Sequence, residues 1–147
     1  MKFRMSLVLL TLALAASSAV TAQASCTDLT IKGSYAFTIH GQILTPNGPI
    51  PIDGLARTTF DGNGNLTQLD TVAVNGHIPL VWRPSTGTYT VNPNCTGTIT
   101  LITTGQPTLH LAILVSHSGD LIHDVVMDPG FAVTADAERV LAPSDED

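Results

Sequence analysis

Ile52–Phe60 (IDGLARTTF), Asp61-Gly62-Asn63-Gly64-Asn65 and Leu66–Val74 (LTQLDTVAV) read in succession as strand, turn and strand. The flanking segments carry β-branched and apolar residues that suit a pleated surface. The Asp-Gly and Asn-Gly steps between them supply the positive-φ positions of a tight hairpin. The rest of the chain keeps the same rhythm. Upstream, Leu29 to Leu44 is predicted as one long strand, with Gly33, Tyr35, Phe37 and Ile39 on one face and Ser34, Ala36, Thr38 and His40 on the other. Thr45 to Pro49 is a turn cluster. Downstream, Asn75-Gly76 is a further hairpin turn. Ile78 to Trp82 is a short strand broken by Pro79, and Gly87–Val91, Thr96–Thr103, Thr108–Ser116, Leu121–Met127 and Phe131–Val140 complete the series. Glycine and proline turns punctuate it throughout, and no window sustains an apolar period of 3.6. The expected class is therefore all-β. Consecutive antiparallel strands joined by short turns leave two edges unless the sheet closes, so a single eight-stranded antiparallel up-and-down barrel is expected, with a β-sandwich as the alternative.

The first 24 residues carry a different signal. Lys2 and Arg4 precede the apolar stretch Leu7–Ala16, and Ala22-Gln23-Ala24 forms an A-x-A site ahead of Ser25. That order predicts a cleaved signal peptide over 1–24, followed by a barrel domain over 25–141 and a disordered acidic tail over 142–147. The apolar stretch is shorter than the ~18 residues of a bilayer span, so no membrane insertion is expected after cleavage. A secreted or periplasmic location follows. Cleavage of the 147-residue chain would leave 123 residues, the size of one domain, and would move the net charge from −6 to −8. Such an acidic chain with no basic cluster is not expected to bind nucleic acid. Both cysteines, Cys26 and Cys95, lie in the exported part and are expected to form a disulfide closing about 70 residues, worth roughly 4 kcal/mol on the chain-entropy argument. A lipid-modified Cys26 is the competing reading, although Gln23 stands where a large aliphatic residue would be expected.

Three stretches together carry a family likeness: Leu29-x-x-x-Gly33-x-Tyr35-x-Phe37, Phe60-Asp61-Gly62-Asn63-Gly64-Asn65-Leu66, and Gly87-Thr88-Tyr89-Thr90-Val91-Asn92-x-x-Cys95-Thr96-Gly97-Thr98. The combination resembles small exported bacterial proteins of the allene oxide cyclase barrel-like group and covers nearly all of the exported chain. The resemblance implies an eight-stranded antiparallel barrel, related in shape to dirigent proteins and more distantly to lipocalins. The matching residues are glycines, turn residues and aromatics, which specify architecture. None is a position onto which a cyclase's catalytic residues can be carried.

Residues able to carry chemistry are few. Asp61-x-Asn63-x-Asn65 opens like a calcium loop, but Leu66 and Val72 stand where that cage needs glycine and glutamate. His110, His117, Asp120, His123 and Asp124 cluster in sequence without compact ligand spacing, so no metal site and no cofactor are expected. Ser116-His117-Ser118 at a turn is not a catalytic triad. Asn65-Leu66-Thr67 and Asn94-Cys95-Thr96 match the glycosylation triplet, which is common by chance. The barrel lumen is the expected site, with Tyr35, Phe37, Phe60, Tyr89, His110, Leu111 and His123 as its candidates and a small apolar ligand as the expected partner. Two functions are open on this reading. One is a non-catalytic binding or structural module. The other is a cofactor-free cyclase or isomerase using Tyr35, Tyr89, His110 or His123 as its inward acid or base.

Overall fold

The computed structural model describes residues 25–140. The expected signal peptide and the expected acidic tail lie outside them. A 3-10 helix, Asp28–Ile31, is followed by eight strands: β1 Gly33–Thr45, β2 Gly48–Phe60, β3 Asn65–Val74, β4 Arg83–Val91, β5 Thr96–Thr103, β6 Leu109–Val115, β7 Leu121–Val126 and β8 Phe131–Val140. Every strand pairs antiparallel with its sequence neighbours. β1 also pairs with β8, from Ser34 opposite Val140 to Ile43 opposite Phe131, and so closes an up-and-down barrel. Two stacked sheets are thereby excluded.

Strand alternation sets the two surfaces. Along β1 the buried or half-buried Tyr35, Phe37, Ile39 and Ile43 face inward, while Ala36, Thr38 and His40 face solvent. β6 buries Leu111, Ile113 and Val115, and β7 buries Ile122, Asp124 and Val126. Closing eight strands around so small a lumen demands strong coiling, and two inward glycines permit it. A Cβ on Gly87 would collide with the Thr100 carbonyl oxygen, and one on Gly97 with that of Thr90. The backbones of β4 and β5 close up at these points.

Two expected strands differ. Asp28–Ile31 is a helical turn and β1 begins only at Gly33, whose φ is +132°. The Thr30 hydroxyl accepts the Thr27 amide and fixes that turn. Ile78 to Trp82 is not a strand. After a short bridge between Val74 and His77, the segment runs as an exposed loop. Pro79 lacks the amide that a ladder requires, and the loop's apolar side chains find no sheet face to cover. Conversely, β2 starts four residues before Ile52. Pro49 and Pro51 are tolerated because that extension runs past the end of the β2–β3 ladder.

The barrel is a cup. Its floor is the end where β1 starts and β8 finishes. There the rings of Tyr35, Phe60 and Tyr89 pack edge to face, with centroids 5.5 and 4.8 Å apart. Ile31 of the 3-10 helix is fully buried with them. Cys26 and Cys95 stand at disulfide-bonding distance, Cα atoms 5.0 Å apart, and tie the segment before the helix to the β4–β5 turn.

Candidate functional site

The floor consumes its polar groups. The Tyr35 hydroxyl donates to the Gly119 carbonyl oxygen. Arg139 lies over the Tyr35 ring at 4.9 Å, and its Nη2 donates to the carbonyls of Thr30 and Gly119 at 2.9 and 2.8 Å. The Tyr89 hydroxyl accepts the Gly62 amide at 2.8 Å and donates to the Asp28 carbonyl at 3.2 Å. Burial pushes the Tyr35 phenol up to about 12 and raises that of Tyr89. Both phenols therefore hold their protons and use them structurally.

Above this floor lies a cavity of about 190 Å³. At the ~30 Å³ that a water takes in the liquid, that is the bulk of about six waters, or of one small ligand. Its walls are mostly apolar, with Phe37, Ile39 and Ile43 from β1, Ile99 and Leu101 from β5, Leu111 from β6, Val126 from β7 and Phe131 and Val133 from β8. Gln106 and Pro107, between β5 and β6, also line it, which places the opening at the end opposite the floor.

One wall is polar and fully paired. Thr58 stands opposite Gln68 across β2 and β3, and Asp70 stands opposite Arg83 across β3 and β4. The Thr58 hydroxyl donates to Gln68 Oε1 at 2.8 Å, and Gln68 Nε2 donates to Asp70 Oδ2 at 3.2 Å. Asp70 Oδ1 accepts Nε and Nη2 of Arg83, each at 2.7 Å. A carboxylate as enclosed as Asp70 is sustained only by such partners. Ser85 and Thr103 pair with each other at 2.6 Å across β4 and β5.

The other wall carries Asp124, on β7, four strands from β3 in either direction round the barrel. The residue is 9% exposed and lines the cavity. No side chain among the described residues hydrogen-bonds its carboxyl. Burial is the main influence and pushes the carboxyl up to about 7, the Ala135 amide opposing and the charge of Asp136 adding to the rise.

The lumen candidates separate into three groups. Phe37 and Leu111 line the cavity. Tyr35, Phe60 and Tyr89 are buried beneath it as the floor. His110 and His123 are corrected to the outer surface, where strand alternation puts them once Leu109, Leu111 and Ile122 face inward. There His110 Nδ1 meets Asp128 at 2.9 Å and His123 Nδ1 meets Asp136 at 2.5 Å. The His110 amide and ring together hold the Asp128 carboxyl below its usual range. A third such pair, His40 with Asp53, lies on the same outer surface at 2.9 Å. His117 sits at the floor, its Nδ1 3.4 Å from Cys95 Sγ.

Compared with protein-family models, curated proteins and solved structures, the chain matches none.

Gln68, Asp70, Arg83 and Asp124 are absent from the expected lumen set. The signal for three of them was available: Leu66-x-Gln68-x-Asp70-x-Val72 and Ile122-x-Asp124-x-Val126 place polar groups in register with inward apolar ones. Asp61, by contrast, does what the turn motif requires. Its carboxylate accepts the amides of Asn63 and Asn65 at 2.7 and 3.0 Å and the Asn65 side chain at 2.9 Å, and these bonds lower its pKa.

Proposed function

We propose that this chain is an exported, non-catalytic module whose barrel holds a small, mainly apolar ligand. The cavity carries the reading: it is apolar on most sides, is open opposite the floor, and has polar groups gathered on one paired wall and at one isolated carboxyl. That is the usual composition of a small-molecule site. The up-and-down barrel and the motifs around Gly33, Asp61 and Gly87 support kinship with the allene oxide cyclase barrel-like group, and with it the shape of dirigent and lipocalin barrels. The apolar amino-terminal stretch and the Ala22-Gln23-Ala24 site support export. A cyclase or isomerase reading is weaker. Tyr35 and Tyr89 use their hydroxyls in the floor, and His110 and His123 face outward, so none of the four offers an inward acid or base.

Calorimetric titration with octan-1-ol tests the binding reading. A single saturable site is expected, lost in Ala56→Phe, which places a ring in the cavity that Ala56 lines, while the far-ultraviolet dichroism of the barrel is kept. Binding that survives Ala56→Phe would move the site outside the lumen, and failure of octan-1-ol and of its amine and carboxylate analogues alike to bind the unaltered protein would remove the reading.

A further inference from the structure

The charges inside the barrel are unequal in a way that selects among apolar ligands. Among the described residues Arg83 is the one cation lining the cavity, and Asp70 already accepts two of its donors. Gln68 takes the remaining Asp70 oxygen and Thr58 caps Gln68. An anionic ligand head drawn to Arg83 would sit beside the enclosed Asp70 carboxylate, which repels it and already holds two of the five Arg83 donors. Taking those two as well would strand Asp70 without its counter-charge, a heavy cost in an apolar setting. Across the lumen the situation is reversed. Asp124 is enclosed, faces the cavity and has no side-chain partner among the described residues, while its neighbours Ile113 on β6 and Ala135 on β8 are apolar.

We infer that the lumen selects a small apolar ligand bearing one cationic amine head, seated on the Asp124 carboxylate with its hydrocarbon body against Phe37, Leu111 and Val126. The inference rests on the lumen-binding reading and adds the class of ligand. An ammonium entering the cup supplies the counter-charge that the fold withholds from Asp124, and it does so where water is scarce and a charge-assisted hydrogen bond is strong. The acidic surface of the whole chain, net −6, favours the approach of a cation over that of an anion.

The titratable and charged groups around Asp124 are few. Asp136 lies on the outer face of β8, paired with His123 of the same strand as Asp124, and Asp70 and Arg83 lie across the lumen as a neutral pair. His110, on β6, faces outward to Asp128. Amine affinity should therefore follow the ionisation of Asp124 itself, rising as pH is taken from about 5 through about 7, where its carboxyl titrates.

The test is a calorimetric comparison of octylamine, octan-1-ol and octanoate, which share one hydrocarbon body and differ in the head. At about pH 8, octylamine should bind at least ~10-fold more tightly than octan-1-ol, the ratio worth one charge-assisted hydrogen bond. In Asp124→Asn that ratio should shrink to within ~2-fold while the far-ultraviolet dichroism of the barrel is kept, because only the charge is removed. Asp136→Asn should leave the preference intact, which separates the lumenal carboxylate from acidic surface charge. Equal binding of octylamine and octan-1-ol, stronger binding of octanoate, or a preference that survives Asp124→Asn would overturn the amine assignment and leave lumen binding standing. If none of the three probes binds, the lumen reading fails first and this inference with it.

Discussion

The floor of the barrel and the lumen above it are built to opposite rules. At the floor, aromatic rings interlock, Arg139 ties the 3-10 helix to the β6–β7 turn, and both tyrosine hydroxyls are engaged. In the lumen the packing stops short of filling the space, and a carboxyl is enclosed without a side-chain partner. Around the opening, Ile78, Leu80, Val81 and Trp82 are left in solvent. One end gains stability from every group it holds and the other forgoes stability, which is how a binding surface commonly differs from its scaffold.

Removing the disulfide should break the floor most severely. With a sequence separation of 69 between the partners, Cys26→Ala combined with Cys95→Ala should cost about 4 kcal/mol in urea unfolding. The octan-1-ol affinity of the folded fraction should change little, since neither cysteine lines the cavity.

Asp124→Asn should act in the other direction. The unfolded carboxyl ionises near 3.8 and the folded one at about 7. The folded state thus holds a proton that the unfolded chain has released, so stability is full below about pH 4, falls as pH rises toward 7 and stays reduced above it. Replacement by asparagine removes the ionised form, and should stabilise the protein by up to about 4 kcal/mol at pH 8, at ~1.4 kcal/mol for each pH unit between the two values, and hardly at all at pH 4. Unfolding curves at the two pH values check it, and a variant less stable at pH 8 would show that the carboxylate is well solvated after all.

Tyr35→Phe should cost about 1 kcal/mol, at the low end for a buried hydrogen bond, because Arg139 continues to serve the Gly119 carbonyl. The smallest effect belongs to the opening. Leu80 is fully exposed, so Leu80→Ser should shift stability by no more than about 0.5 kcal/mol. A larger loss in the thermal midpoint would mean that the loop packs onto something at the mouth.

Alternation made the barrel readable. Tyr35, Phe37, Leu111 and Ile113 sit at period-two positions whose burial could be assigned strand by strand, and the Asp61–Asn65 turn fixed the register of its hairpin. Two apolar runs misled for a common reason. Leu29–Ile31 and Ile78–Trp82 have strand-like composition, but composition does not say whether a sheet face is there to receive them. The first became a helical turn with Ile31 against the floor, and the second found no face. Gln68, Asp70 and Asp124 share their strands' inward parity, but inward positions of a small barrel are mostly apolar, so composition alone does not mark these polar side chains as lumenal. His110 and His123 drew attention through their chemistry, when their parity already placed them outside. That Arg83 would neutralise Asp70, and that no described residue would neutralise Asp124, depends on which strands become neighbours and on what the far wall presents.

The pairing of β1 with β8 has a consequence for how the chain could be rewired. Ser34 lies directly opposite Val140, so the two ends of the strand series are adjacent at the floor, and every hydrogen-bonded neighbour in the barrel is also a neighbour along a ring. A linker from Val140 to Ser25, with new ends cut in the exposed segment between Val74 and Arg83, would leave all eight ladders, the 3-10 helix and the Cys26–Cys95 pair intact. The break would fall at the mouth, where the backbone carries least, and the order of residues would be permuted without moving Asp124 or the walls that face it.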